Sequence, residues 1–201
     1  MYLVTDRELS KGRDMEDIVT DAVHGGVSMI QLREKHTGTR EFIELAFRLK
    51  SLLKPFGVPL IINDRIDVAL ASDADGVHIG QSDMPYAIAR RILGKDRIIG
   101  LSVENFAQIE EANALDVDYI GISPVFSTST KTDTAAPFGI DGLRKAVEMS
   151  LHPTVAIGGM NRNTAAEVMK TGVDGIAVVS AIVCAPSPSD ASRDLLEIIR
   201  K

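Results

Sequence analysis

Eight short runs of β-branched and other apolar residues recur along the chain, each followed by a polar turn and then a helical pattern. The runs are Tyr2–Thr5, Met29–Arg33, Leu60–Asn63, Gly76–Ile79, Ile98–Ser102, Tyr119–Ser123, Thr154–Gly158 and Gly175–Ser180. They are apolar almost without interruption rather than alternating, the pattern of parallel strands covered on both faces. Between them lie amphipathic segments. Glu41–Leu53 carries Phe42, Leu45, Leu49 and Leu52 at helical spacing, and Asp83–Leu93, Ala107–Leu115, Asn163–Lys170 and Ser189–Arg200 behave similarly. Eight βα units in 201 residues come to roughly 25 residues each, near the lower size limit of a (β/α)8 barrel. A flavodoxin-like open sheet would leave three of the runs without a place. No Pro/Gly/Ser-rich linker or low-complexity tract divides the chain, so the expectation is an α/β fold, one TIM-barrel domain over residues 1–201.

Composition removes several partner classes. A formal charge of −6 opposes binding to nucleic acid or an anionic membrane. Aromatic residues are 4% of the chain and Trp is absent, so no base-stacking platform is available. The single cysteine, Cys184, cannot form an internal disulfide, and its apolar neighbours read as buried packing. The first six residues meet charge at once, and the longest apolar stretch, Ile176 to Ala185, is too short to span a bilayer. A cytoplasmic protein acting on small molecules is expected.

Chemistry in such barrels gathers where strands end and helices begin. The unusual polar residues fall there: Gln31-Leu32-Arg33-Glu34-Lys35, Asn63-Asp64, Gln81-Ser82-Asp83, Ser102, Ser127–Thr132, Gly158-Gly159 and Ser180. Gln31, Arg33 and Lys35 are spaced by two, so an extended chain points them to one face. An amide and two cations at a barrel mouth suit an anionic ligand such as a phosphorylated heterocycle; the plainer alternative is a surface salt bridge to Glu34 or a neighbour. Asp64 and Asp83 each close a strand–turn unit. Singly, each would serve to cap the next helix; together they offer the carboxylates that magnesium takes beside a phosphate. Ser127 to Thr132 packs hydroxyls around Lys131, a composition suited to diphosphate oxygens, and the loop to Phe138 is long enough for a lid. Gly158-Gly159 and Val179-Ser180 end the last two strands, where backbone N–H groups of these barrels often hold phosphate. Gly-Gly also suits a plain tight turn. Of four histidines only His78 lies in a strand, where packing or a ring hydrogen bond is expected rather than catalysis.

Taken in order, the strings Gln31–Lys35, Ile62–Asp64, Gly76–Asp83, Pro124–Lys131, Ala156–Gly159 and Val178–Ala181 resemble the successive motifs of the thiamine phosphate synthase family. The resemblance covers nearly the whole chain. It implies a transferase of thiamine biosynthesis that joins 4-amino-2-methyl-5-(diphosphooxymethyl)pyrimidine to a thiazole phosphate and releases diphosphate. It further implies that Gln31, Leu32, Arg33, Glu34, Lys35, Asn63, Ser102 and Lys131 hold the pyrimidine diphosphate, with Asp64 and Asp83 binding Mg2+. Thr128, Ser129, Thr130, Gly159, Val179 and Ser180 fall to the thiazole phosphate side, and Arg33, Lys131 and Ser102 to catalysis. The mechanism implied is dissociative, through a pyrimidine-methyl cation. The chain departs from the family pattern at Ser123, where glycine is usual, at Ser127, where proline is common, and at His36, where an acidic residue is frequent. It also reaches its first strand without the leading helical segment of many relatives. Two rival readings share the barrel: a thiazole tautomerase, and a non-catalytic regulator that binds thiamine phosphates.

Overall fold

The structure, a computed structural model, describes residues 1–127 and 136–200. Its strands are β1 (Tyr2–Val4), β2 (Met29–Leu32), β3 (Leu60–Asn63), β4 (Gly76–Ile79), β5 (Ile98–Val103), β6 (Tyr119–Ile122), β7 (Thr154–Ile157) and β8 (Gly175–Val178). Each pairs in parallel with its sequence neighbour. β8 returns to β1, with Tyr2 opposite Ala177 and Leu3 opposite Val178, so the barrel is closed. Closure removes the unpaired edge that an open sheet would expose.

Around the barrel run α1 (Met15–His24), α2 (Thr39–Leu53), α3 (Ile66–Ala71), α4 (Tyr86–Leu93), α5 (Phe106–Asn113), α6 (Gly139–Met149), α7 (Ala165–Met169), α8 (Ser180–Val183) and α9 (Pro188–Ile199). Their inner stripes are apolar. In α2, Phe42, Leu45, Ala46, Leu49 and Leu53 are buried, the i, i+3, i+4, i+7 pattern that puts them on one face. The pleat sends alternate strand residues outward to meet these stripes. Leu3, Ile30, Leu32, Ile62, Val77 and Val178 lie in this strand–helix layer, while Tyr2, Val4, Ile61, Tyr119 and Ala177 form a smaller cluster inside the ring.

At the end where the strands begin, aspartates cap alternate strands. Asp75, just before β4, accepts the Leu60 N–H at 2.7 Å, and Asp118, just before β6, accepts that of Ile99 at 2.8 Å. Asp174, just before β8, accepts both the N–H of Thr154 at 2.7 Å and its hydroxyl at 2.9 Å. These carboxylates satisfy strand-end donors that have no ladder partner. At the opposite end, the segment after β6 is fixed at both ends. Val125 N donates to Ile157 O at 2.9 Å, and on the returning side Phe138 N and Gly139 N donate to Pro124 O at 3.0 Å and Val125 O at 2.9 Å. The Phe138 ring meets Phe106 edge-to-face at 5.4 Å.

The helix expected from Asp83 starts instead at Tyr86, with Pro85 in the N-cap position. The Asp83 carboxylate turns back to the Gly80 N–H at 2.7 Å, and the intervening residues form a turn. Among the described residues, no helix is long and apolar enough to cross a membrane. Cys184, expected to be buried, is exposed just after α8.

Candidate active site

The mouth of the barrel at the strand C-terminal ends opens into a cavity of about 480 Å³. Gln31, Arg33 and Lys35 all line it, as their two-residue spacing requires. So do Asn63 at the end of β3, Asp64 just beyond it, Asp83 after β4 and Ser102 on β5. Gly159, Val179 and Ser180, after the last two strands, complete the wall.

Leu32 and Glu34, expected to hold the pyrimidine diphosphate, do not line the cavity. Leu32 is fully buried in the strand–helix layer, because alternation turns it away from its neighbours Gln31 and Arg33. Glu34 is held to one side by Arg7 Nε at 2.7 Å and by the Thr37 hydroxyl. Thr128, Ser129, Thr130 and Lys131, with the lid expected between Ser127 and Phe138, fall on residues 128–135 and lie outside the described residues.

Neither central aspartate caps a helix. Arg65 occupies the N-cap of α3 and Pro85 that of α4, each without a side-chain capping bond. Asp64 instead adopts a left-handed backbone, φ 61°, its N–H donating to His78 O at 2.9 Å. Aspartate tolerates that region better than most residues, yet the conformation is uncommon and characteristic of functional turns. Burial, reinforced by the hydrogen bond and charge of Asp83, pushes the Asp64 carboxyl up to about 6, with Lys35 and Arg33 pulling the other way. Two carboxylates thus share one small space. Among the described residues no group of three or more His, Cys, Asp or Glu side chains could hold a metal. A closed protein cage is therefore not built among the described residues. The donor set fits magnesium, which is usually held by one or two carboxylates with water and substrate oxygens completing its shell.

Arg33 is oriented by two contacts that sequence reasoning missed. Its Nη1 donates to Asp6 Oδ2 at 3.0 Å, and its backbone N–H donates to the buried Thr5 hydroxyl at 3.0 Å. The salt bridge is therefore to Asp6 rather than to Glu34. Deeper in the cavity lies a polar chain: Gln31, Tyr2, Tyr119, His78 and Ser102 are hydrogen-bonded in that order. Burial pushes the His78 imidazole down to about 4 and holds it neutral. The ring hydrogen bond expected of His78 is present; the two tyrosines were missed, although Tyr2 shares the inward phase of Val4. Gln81 Nε2 donates to Ser102 O at 2.6 Å, tying the loop after β4 to strand β5.

Gly158 and Gly159 follow β7 with φ of 101° and 74°. A Cβ on Gly158 would stand 2.9 Å from that of Pro124, and one on Gly159 2.8 Å from that of Phe126. Glycine is required twice over, by backbone hand and by the close approach of the β6 segment.

Fold and cavity together define a (β/α)8-barrel protein with cations and paired carboxylates at its mouth, the usual place for chemistry in such barrels. Residues 1–182 match the family model described as thiamine monophosphate synthase. The thiamine-phosphate synthase of Vibrio campbellii is 52% identical over 200 residues, covering 100% of this chain and 98% of that protein. That of Chloroflexus aurantiacus is 49% identical, covering 99% and 92%. The structure of thiamine phosphate pyrophosphorylase from Pyrococcus furiosus superposes with a TM-score of 0.91 at 41% identity, covering 99% of this chain and 94% of that one. The chain belongs to the thiamine monophosphate synthase family, a family of transferases.

Proposed function

We propose that this enzyme couples 4-amino-2-methyl-5-(diphosphooxymethyl)pyrimidine to a thiazole phosphate, giving thiamine phosphate and diphosphate. The observation that carries the reading is the convergence of Arg33, Lys35, Asp64, Asp83, Asn63 and Ser102 on one cavity. A neutral heterocycle edge and an anionic diphosphate would both find partners there. In this reading Gln31 and Asn63 address the pyrimidine, while Arg33, Lys35 and Ser102 meet the diphosphate with Lys131. Gly159, Val179 and Ser180 hold the thiazole phosphate with Thr128, Ser129 and Thr130. Bound at Asp64 and Asp83, magnesium would supply positive charge to the diphosphate oxygens.

The bond between the pyrimidine methylene carbon and the diphosphate oxygen breaks with its electron pair leaving on oxygen. Arg33 and Lys131 stabilise that developing charge. The methylene cation is captured by the thiazole nitrogen lone pair, forming the new C–N bond. No protein nucleophile takes part. The side chains act by holding the two partners close and keeping water from the cation. A cytoplasmic location accompanies the reading, since both substrates are small, soluble phosphate compounds.

The test is to mix the protein with both substrates and magnesium and to follow diphosphate release. Release that needs all three supports the proposal. Isomerisation of the thiazole phosphate alone, or binding of thiamine phosphate without turnover, overturns it.

A further inference from the structure

We propose that the hydrogen-bond chain across the barrel interior has one fixed direction and thereby sets which atoms Gln31 and Ser102 present to a ligand. This makes Tyr2, Tyr119 and His78 positioning residues. The five groups come from β2, β1, β6, β4 and β5 in turn, so the chain ties opposite sides of the ring together. Gln31 Nε2 donates to Tyr2 Oη at 2.7 Å, and Tyr2 Oη lies 2.9 Å from Tyr119 Oη. Tyr119 Oη lies 2.9 Å from His78 Nδ1, and His78 Nε2 lies 2.8 Å from Ser102 Oγ. The fold makes room for this. A Cβ on Gly100 would stand 2.1 Å from Tyr119 Cζ, so only glycine at that position of β5 admits the phenol.

Donor counting gives the direction. The amide nitrogen of Gln31 can only donate, a phenol has one proton to give, and an imidazole nitrogen that accepts a hydrogen bond carries no proton. Tyr2 therefore accepts from Gln31 and passes its own proton to Tyr119. Tyr119 donates to His78 Nδ1, and the Nε2–H of His78 donates to Ser102 Oγ. Run the other way, Tyr2 would accept from both Gln31 and Tyr119, leaving its own proton without a partner in the chain, a costly arrangement for a buried phenol. Consecutive bonds of one polarity also strengthen one another. The consequence appears at the two ends. Gln31 offers the cavity a carbonyl acceptor, and Ser102 offers it a hydroxyl donor. That pair is complementary to a ligand with an amino group at one end and a ring nitrogen or anionic oxygen at the other. The link to catalysis rests on the reading above, in which Gln31 and Ser102 hold the pyrimidine diphosphate.

The experiment is a long-range proton–nitrogen spectrum of the ligand-free protein with 15N-labelled imidazoles, the His78 signals identified by their loss in His78→Gln. The expected result is His78 as the Nε2–H tautomer; the Nδ1–H tautomer or an imidazolium overturns the proposal. In Tyr119→Phe the tautomer preference should weaken and the KM for the pyrimidine diphosphate should rise about five- to tenfold, with the KM for the thiazole phosphate unchanged. Equal changes in both KM values, or none, would end the positioning role. If Tyr119→Phe does not fold, the wild-type tautomer still decides the direction. If the wild type shows the Nε2–H tautomer yet does not couple the two substrates, the chain stands and the assigned reaction falls.

Discussion

Arg33 Nη1 and Asp6 Oδ2 are 3.0 Å apart, so the guanidinium at the cavity wall is already anchored through one nitrogen before any ligand arrives. The side chains are only 20% and 12% exposed, which limits solvent screening of the pair. Removing the anchor should therefore loosen the cation without removing it. Asp6→Asn is expected to lower kcat/KM for the pyrimidine diphosphate about tenfold, and Arg33→Ala about 100-fold. Steady-state kinetics alongside thermal melting would check this. An Asp6→Asn enzyme with wild-type kinetics would show that the anchor is dispensable.

The Asp64 carboxyl, pushed up to about 6 from 3.8, makes a signed prediction for the metal-free protein. The folded state holds this proton more tightly than the unfolded chain does. Stability from the group is therefore fully present below about pH 4 and lost as pH rises through about 6. The full linkage is about 3 kcal/mol, which solvent screening of a half-buried group reduces to about 1 kcal/mol. Asp64→Asn should raise the melting temperature above about pH 7 and leave it unchanged near pH 4. Melting curves across that range in a chelating buffer read the effect. The same variant should lose the dependence of turnover on magnesium along with most turnover.

Gly158→Ala is expected to destabilise the protein by about 1–3 kcal/mol, since the new methyl group meets Pro124 in a backbone region that alanine disfavours. Activity should fall further than stability accounts for, because neighbouring Gly159 forms part of the cavity wall. Urea unfolding compared with kinetics at low temperature separates the two effects.

Asp174→Ala should behave in the opposite way. It removes two hydrogen bonds to Thr154 at the far end of the barrel. A loss of about 1–2 kcal/mol is expected, with kcat and both KM values unchanged. Altered kinetics in this variant would mean that the two ends of the barrel are coupled.

The barrel was legible because its strands are apolar on both faces, as covered parallel strands demand, and because eight such runs are too many for a flavodoxin-like sheet. The mouth residues were legible because polar side chains at strand ends have no structural use in the apolar layers. Leu32 and Glu34 stand outside the cavity for a simple reason. The run from Gln31 to Lys35 is contiguous, whereas only its alternate residues, Gln31, Arg33 and Lys35, reach the cavity. Asp6 was missed since its partner, Arg33, is 27 positions away. Tyr2 and Tyr119 meet across 117 positions and carry no local signal of their partnership. The capping role open to Asp64 and Asp83 was settled only by the observed helix starts, which depend on backbone geometry that side-chain type does not specify.

The segment after β6 leaves and re-enters the barrel at one place, Pro124 and Val125 receiving the returning Phe138 and Gly139. These bonds run between backbone atoms, so they do not depend on which side chain stands at the donor, proline excepted. Substitution at Val125 or Phe138 would therefore change the local packing while leaving the rim of the barrel joined as it is now.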